Sequence, residues 1–184
     1  MDRAVIERAR GGDTDAFETI VRERMDAVYR LSLAIVGDEA DARDAAQETF
    51  VSVWRRIASL REVDRFDAWL QRIAVNAARM ALRGRRRRQV REIASDDVIR
   101  RASAEGVAVP DAGAARSVDD ADRLGRALAG LSLDQRTILA LHHLEGQGLA
   151  EIADVLRIPV GTVKSRLFTA RRELERALAA EAER

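Results

Sequence analysis

Apolar side chains recur every three or four residues along most of this chain of 184 residues. One such stripe runs from Phe17 to Ile35, and another runs from Phe66 to Met80. This spacing places the apolar residues on one face of an α-helix, whereas a half-buried strand needs strict alternation. Because no run of β-branched residues alternates convincingly, the sequence predicts an all-α fold.

Charge is distributed unevenly, although 32 lysines and arginines nearly balance 31 aspartates and glutamates. Residues 79–91 contain seven arginines and no acid, whereas residues 92–122 contain eight acids and three arginines. The acidic stretch also has glycine, proline and small residues without a sustained apolar period, which is typical of a linker. We therefore predict two small helical domains, at 1–91 and 123–184, joined by a flexible acidic linker at 92–122.

The composition excludes several kinds of chemistry. The chain has no cysteine, so it forms no disulfide, thiolate metal site or cysteine nucleophile. The adjacent His142 and His143 would point about 100° apart on a helix, which is poor geometry for one metal ion, and we expect no metal and no cofactor. No apolar run approaches the roughly 18 residues of a membrane span, and the N-terminus has no apolar signal segment. We therefore expect a cytoplasmic protein.

Residues 149–167 have the pattern of a helix-turn-helix. Two short helical stretches are separated by about four residues, and Pro159 suits the first turn of the second helix. The small side chain of Ala153 would let the helices approach closely, while Val163 and Leu167 face inward. The outward or flanking positions are left with Thr162, Lys164, Ser165, Arg166 and Thr169. Such a face is typical of a recognition helix in the major groove of DNA; an ordinary helical hairpin with a solvated basic face is the alternative.

The apolar stripe at 42–54 indicates a helix with a separate polar face. We expect its buried side to comprise Ala42, Ala46, Phe50, Val53 and Trp54. Asp44, Gln47 and Glu48 then share another face, because residues three and four apart are neighbours on a helix. This face is either simply solvated or a docking surface for a basic helix of a partner.

The next helix is predicted to begin at Phe66 and to end near Arg83, where the arginine run follows. One stripe of this helix carries Asn76, Arg79, Met80 and Arg83. Asparagine can pair with base edges, arginine can stack or hold phosphates, and methionine can wedge between bases. The arginines at 85–88 either extend this surface for phosphate contact or form a solvated terminus. The loop at 58–65 is a candidate pocket for an unstacked base.

Three segments resemble one family, the bacterial RNA polymerase sigma factors. Residues 44–54 (DAAQETFVSVW) resemble the core helix of conserved region 2, and residues 66–79 (FDAWLQRIAVNAAR) resemble the helix that binds the −10 promoter element. Residues 158–167 (IPVGTVKSRL) resemble the recognition helix of region 4. With only these two modules and a linker, the chain resembles the small extracytoplasmic-function, or group 4, sigma factors.

The resemblance implies a promoter-specificity subunit of RNA polymerase rather than an enzyme. The polymerase would be contacted at the β′ coiled coil and the β flap, with Asp44, Gln47 and Glu48 docking on the coiled coil. The melted −10 strand would be engaged by Asn76, Arg79, Met80 and Arg83. The −35 duplex would be read by Thr162, Lys164, Ser165, Arg166, Phe168 and Arg171. The family also implies an anti-sigma factor that covers these faces.

The sequence departs from the family pattern at three positions in or beside the region 4 module. Gly148 stands where the family often has a serine as helix N-cap, Ser132 stands where the family often has a proline after the leucine at 131, and Thr169 stands where an arginine is common. Glycine still caps a helix with a loss of only a few tenths of a kcal/mol. Thr169 removes a side chain that could have contacted phosphate.

Two other functions stay open from the residues alone. A stand-alone helix-turn-helix transcriptional regulator would bind a palindromic duplex as a dimer, but no dimerisation or ligand-sensing module is evident. An enzyme acting on DNA would need a phosphate-binding loop, a metal cluster or a supported nucleophile, and none stands out. The sigma-factor interpretation is favoured because it also accounts for the face that carries Asp44, Gln47 and Glu48.

Overall fold

The computed structural model describes residues 1–95 and 118–182, and every regular element within these ranges is helical. The N-terminal module contains α1 (Arg3–Arg10), α2 (Thr14–Val36), α3 (Glu39–Arg56) and α4 (Phe66–Ser95), with 3₁₀ turns at Ile57–Ser59 and Val63–Arg65. The C-terminal module contains α5 (Val118–Ala129), α6 (Leu133–His143), α7 (Leu149–Leu156) and α8 (Val160–Ala182). The predicted all-α fold is confirmed. Residues 96–117, the greater part of the predicted linker, lie outside the described residues, and the boundaries at 91 and 123 stay predictions.

Helices α2, α3 and α4 pack against one another, and α1 packs against α2. Their apolar stripes meet in one core, where Ile20, Ile35, Val53 and Phe66 are almost completely buried. Gly37 ends α2 with φ 74° and ψ 19°, a left-handed conformation that glycine adopts without a steric penalty. Only two residues, Gly37 and Asp38, therefore separate α2 from α3, and α3 can pack directly against α2.

Helix α4 is longer than predicted. It has 30 residues in total and includes the arginine run, so it spans about 45 Å. The predicted end near Arg83 is therefore wrong. Arginine is a good helix former. In addition, Arg85 lies 3.3 Å from the carboxylates of Asp38 and Asp41 at the start of α3. Arg85 is thus held against the protein, whereas Arg87 is exposed.

Helix α8 organises the C-terminal module, because α5, α6 and α7 all pack against it. Ile138, Leu141 and Val163 are fully buried at these contacts. α6 begins with a capping box: the Ser132 hydroxyl accepts the Gln135 amide at 3.3 Å, and the Gln135 side chain accepts the Ser132 amide at 2.8 Å. This reciprocal pair satisfies two backbone donors that have no partner within the helix.

The two modules also pack against each other, a contact that was not predicted from the sequence. α2 contacts α6, and α4 contacts α7, and buried residues of both modules belong to one apolar cluster. Polar side chains join the same surfaces: the Gln71 amide donates to Glu145 at 3.0 Å, and the Gln147 amide donates to Gln71. We refer to this arrangement as the closed arrangement.

Two findings concern membranes and metals. Within residues 1–95 and 118–182, no helix is both long and apolar enough to cross a membrane. The same residues contain no group of three or more metal-ligating side chains arranged around one ion. The ring of His142 lies 4.8 Å from that of His143, edge to face, and its Nδ1 lies 2.9 Å from the carbonyl oxygen of Gln147.

Truncation of a leucine in the C-terminal module tests its packing. Leu141→Ala should lower the free energy of unfolding by about 2–5 kcal/mol, because it leaves a cavity in the core. Leu144→Ala is the matched control and should change it by less than about 0.5 kcal/mol, because Leu144 is 44% exposed. Urea unfolding followed by circular dichroism measures both, and equal losses would contradict the described core.

Candidate nucleic-acid and partner interfaces

The polar face predicted for residues 44–48 lies on α3. Asp44, Gln47 and Glu48 are exposed there, because Ala46 and Phe50 occupy the buried side of the helix. No described residue forms an ion pair with Asp44 or Glu48. Both charges are therefore available to a partner, and we call these three residues the α3 face.

An apolar groove with a volume of 1020 Å³ lies beside the α3 face, between α2 and α3. Phe17, Met25 and Tyr29 of α2 line one side of it, and Trp54 of α3 lines the other. Gln47 belongs both to the groove and to the α3 face. The acidic residues and the groove thus form one continuous surface of the kind that an amphipathic helix can occupy.

Trp54 lies in this groove, so its predicted burial in the core is wrong. Its side chain is 41% exposed, and its ring centroid lies 4.8 Å from that of Phe17. Successive residues on a helix point about 100° apart, and Val53 occupies the core position instead. Helical spacing on α3 alone could not reveal the groove, because the groove requires the placement of α2 against α3.

The stripe predicted to bind a melted strand lies on α4. Asn76, Met80 and Arg83 are exposed, and the Arg83 guanidinium lies 3.9 Å from the Met80 sulfur. Arg79 differs, because its side chain is 25% exposed and forms an ion pair with Asp134 of the C-terminal module at 2.9 Å. Three of the four residues are accessible, and the fourth is engaged by the other module.

Further arginines that were not predicted from the sequence join this stripe. A cavity of 340 Å³ between α4 and α7 is lined by Asn76 and Arg79 together with Arg56, Arg72 and Arg157, and its described lining contains no acid. Burial lowers the pKa of Arg72, and the positive charge of Arg157 acts in the same direction. Arg72 lies four residues before Asn76, so helical spacing could have identified it. Arg56 and Arg157 come close only through the fold.

The loop at 58–65 joins α3 to α4 and was predicted to hold an unstacked base. Leu60 and Val63 anchor it in the core, and Asp64 forms an ion pair with Arg3 of α1 at 3.1 Å. The loop borders a cleft of 910 Å³ that the C-terminal module also lines. Its backbone is thus fixed beside an open space, and its use for a base stays a prediction.

Helices α7 and α8 form the predicted helix-turn-helix. The turn has three residues, 157–159, and Arg157 ends α7 in a left-handed conformation with φ 56° and ψ 47°. The Pro159 carbonyl accepts the Thr162 and Val163 amides at 2.9 and 3.1 Å. Pro159 is therefore the N-cap of α8, one position before its predicted place in the first turn. At the start of α7, the amide of Gly148 donates to Glu151 at 2.8 Å.

The outward face of α8 carries all six residues predicted to read duplex DNA. Val163, Leu167 and Ala170 hold the opposite side of the helix in the core. The exposed residues are Lys164, Ser165, Arg166, Phe168 and Arg171, and Thr162 is half-buried. The helix therefore presents a continuous polar and basic surface on a rigid support.

Phe168 is the most exposed large apolar residue among those described, at 63%. The Arg172 guanidinium lies 5.8 Å from the centroid of its ring, a distance at which a cation is attracted to an aromatic face. Arg172 was not among the predicted DNA contacts, although its position four residues after Phe168 makes the two neighbours on a helix. It extends the basic surface of α8 toward the C-terminus.

Both modules match known families in the same order along the chain. Residues 20–88 match Sigma-70 region 2, and residues 121–174 match Sigma-70, region 4. The RNA polymerase sigma-H factor of Pseudomonas aeruginosa is 33% identical over 182 residues, which cover 97% of this chain and 94% of that protein. The ECF RNA polymerase sigma factor SigW of Bacillus subtilis is 32% identical, with 97% of each chain covered.

Solved structures share the fold. CnrH, in complex with the cytosolic domain of CnrY, gives a TM-score of 0.68 at 27% identity over 97% of each chain. RpoE of Bartonella quintana, in complex with the anti-sigma factor NepR, gives a TM-score of 0.69 at 23% identity, with 89% of this chain and 96% of that chain covered. The helical modules and their matches define a sigma factor of the sigma-70 type. The chain belongs to the extracytoplasmic-function (ECF) RNA polymerase sigma factors.

Substitution of Arg157 tests the left-handed backbone conformation described for the turn. Arg157→Gly should raise the free energy of unfolding by about 1 kcal/mol, because glycine avoids the left-handed penalty of about 1–2 kcal/mol. Arg157→Val should lower the free energy of unfolding, because a β-branched residue is least compatible with positive φ. Both variants remove the same charge. The difference between their free energies of unfolding in urea therefore measures the cost of the left-handed backbone conformation. Equal effects would contradict the described turn.

Proposed function

We propose that this chain directs transcription initiation: it binds core RNA polymerase, recognises the −35 and −10 elements of a promoter and promotes melting of the DNA. One observation carries the proposal. The residues that correspond to the family's contact positions in both regions lie mainly on outward helix faces whose opposite sides are buried. Membership of the family gives the class of function. The exposed surfaces of α3, α4 and α8 support the assignment of a separate contact to each of these helices.

Polymerase docking is assigned to the α3 face and the adjacent groove. Asp44 and Glu48 supply negative charge without an ion pair to any described residue, although Glu48 accepts a hydrogen bond from the Ser52 hydroxyl at 3.3 Å, and Gln47 supplies an amide at the rim of the groove. A helix of the β′ coiled coil with basic and apolar residues would find both complementary charge and an apolar seat. The apolar groove adds Phe17 and Trp54 to the contacts implied by the family.

Strand binding at the −10 element is assigned to α4 and its neighbours. Met80 is exposed and can wedge between bases, and Asn76 can pair with a base edge. Arg79 and Arg83 can hold phosphates, and Arg72 extends this charge along the helix toward the loop at 58–65, where an unstacked base would be held.

Recognition of the −35 element is assigned to the outer face of α8. Short polar and basic residues near its N-terminus, Thr162, Lys164 and Ser165, suit the edges of base pairs in the major groove. Arg166 and Arg171 are placed to contact bases or phosphates, and Phe168 offers an apolar surface for a thymine methyl group. The β flap of the polymerase would hold this module near the DNA.

Regulation by an anti-sigma factor is part of the proposal. RpoE of Bartonella quintana is in complex with the anti-sigma factor NepR, and the present chain shares its fold. We place the action of this chain in the cytoplasm, with the polymerase, and assign it no catalytic step of its own. The stand-alone regulator considered above would leave the α3 face and its groove without a role.

Transcription with purified components tests the proposal. Core polymerase and the purified chain are incubated with fragmented genomic DNA of the source organism, and the 5′ ends of the transcripts are sequenced. We expect transcripts that share one pair of upstream elements and depend on the chain. Failure of the chain to bind core polymerase, or transcripts without common elements, would contradict the proposed function.

Charge reversal on the α3 face tests polymerase docking. The double variant Asp44→Arg/Glu48→Arg should weaken binding to core polymerase at least tenfold, a change of about 1.4 kcal/mol, because like charges would meet across the interface. Glu39→Arg is the matched control on the same helix, since Glu39 pairs with Arg43 instead. Fluorescence anisotropy of the labelled chain measures both affinities. A loss of the same size in the control would argue against a specific docking face.

Promoter melting is tested at Met80. Met80→Ala should slow the formation of open complexes about tenfold, because a wedge between bases is lost, while core binding stays unchanged. Permanganate reactivity of unpaired thymines follows the opening. On a template whose −10 element is already unpaired by a mismatched bubble, the variant should form open complexes as fast as the unaltered chain. A defect that persists on the bubble would exclude a role in melting.

A further inference from the structure

One carboxylate joins the two predicted DNA-binding surfaces of this chain. Asp134 lies in the first turn of α6, and its Oδ1 accepts a hydrogen bond from Arg79 of α4 at 2.9 Å. Its Oδ2 accepts a hydrogen bond from Arg166 of α8 at 3.3 Å. Arg79 is assigned above to the −10 strand and Arg166 to the −35 duplex, so one acid holds a DNA contact of each module.

The contact belongs to a wider surface that covers part of α4. Residues Val155, Leu156 and Arg157 of the helix-turn-helix line the cavity that contains Asn76 and Arg79. A −10 strand could not lie along this part of α4 while α7 occupies it. The closed arrangement therefore obstructs strand binding at Arg79 by charge pairing and beside Asn76 by steric exclusion, whereas Met80 and Arg83 stay exposed.

The closed arrangement is also incompatible with simultaneous promoter contacts. Elements centred near −35 and −10 are separated by about 25 base pairs, or about 85 Å of duplex at 3.4 Å per step. Arg79 and Arg166 share one carboxylate, so their guanidinium groups lie within a few ångströms of each other. The modules must separate before both elements can be bound.

The interface contains unfavourable features as well. Arg65 and Arg157 add positive charge near Arg72, where Asp154 supplies the opposing negative charge. The Nε atoms of Arg72 and Arg79 are buried without a hydrogen-bond partner among the described residues. A buried donor without a partner is unfavourable, and like charges repel. The closed arrangement therefore combines apolar contacts and a few ion pairs between the modules with unfavourable burial of polar groups, which opening would relieve.

We propose that the surface around Asp134 is an intramolecular docking site for the DNA-binding face of α4, in which the carboxylate occupies the place of a DNA phosphate. Asp134 competes with the −10 strand for Arg79 and with the −35 duplex for Arg166. Removing its charge frees arginines on both modules at once. The assignment rests on the proposed function, because it takes both arginines as DNA contacts.

The absence of cysteine allows a direct test. Two labels are introduced at exposed positions, one on each module, through Glu18→Cys and Glu175→Cys. Distances between the labels are measured by pulsed electron spin resonance without polymerase or DNA. We expect mostly short distances for the otherwise unaltered chain and a shift to longer distances in Asp134→Asn. Rising salt should lengthen the distances of the unaltered chain and have little further effect on the variant.

DNA binding supplies the second measurement. At low salt, Asp134→Asn should bind both a −10 single strand and a −35 duplex at least threefold more tightly than the unaltered chain, as measured by fluorescence anisotropy. Glu173→Gln removes the same charge from the C-terminal module, where Glu173 pairs with Arg176 of its own helix, and should leave the distances and the single-strand affinity unchanged. Circular dichroism confirms the fold of each variant.

The outcomes separate the possibilities. Unchanged distances in Asp134→Asn would overturn the docking site, and so would a gain in affinity confined to the duplex, because that pattern is a local charge effect within the C-terminal module. If the unaltered chain fails to start transcription with core polymerase, the proposed function fails, while the label distances still decide whether Asp134 holds the modules together.

Discussion

Burial of one apolar face on every helix determines which side chains of this chain can reach a partner. Ala46 and Phe50 must enter the core of the N-terminal module, and Asp44, Gln47 and Glu48 on the opposite side of α3 consequently point outward. The same holds on α8, where Val163 and Leu167 are buried. The surfaces assigned to polymerase and to DNA therefore follow from the pattern that forms the core, and a mutation in that core would disturb them as well.

Electrostatic pairing inside the chain modifies what these surfaces can do. The total of 32 basic and 31 acidic residues averages over regions of opposite charge. Arg85 is neutralised by Asp38 and Asp41, and Arg79 is neutralised by Asp134. A paired arginine must lose its carboxylate before it can hold a phosphate. The number of arginines on α4 thus overstates the affinity of the isolated chain for DNA.

Helical periodicity was sufficient to predict the fold class and most of the exposed site residues, because it reports which face of a helix is apolar. It could not report what that face packs against. The groove between Phe17 and Trp54, and the contact of Gln71 with Glu145, join residues far apart in sequence. The length of α4 was underestimated for a related reason, since the partners of Arg85 lie on another helix. Arg72 is different, because spacing along α4 alone could have identified it.

The strength of the closed arrangement is limited by the kind of contact that forms it. Asp134 is about half exposed, and an exposed ion pair contributes only about 0–1 kcal/mol, so its two pairs cannot hold the modules together without the apolar contacts of α2 with α6 and α4 with α7. Because about 1.4 kcal/mol corresponds to a factor of ten, two such pairs can still change the open population severalfold. A partner shifts this equilibrium only by its preference for the open arrangement. Core polymerase, which would bind each module at a separate site, has that preference, whereas a short DNA fragment contacts one module and gains less from opening. The same bridge can therefore suppress binding of the free chain to DNA and have little effect once the polymerase holds the modules apart.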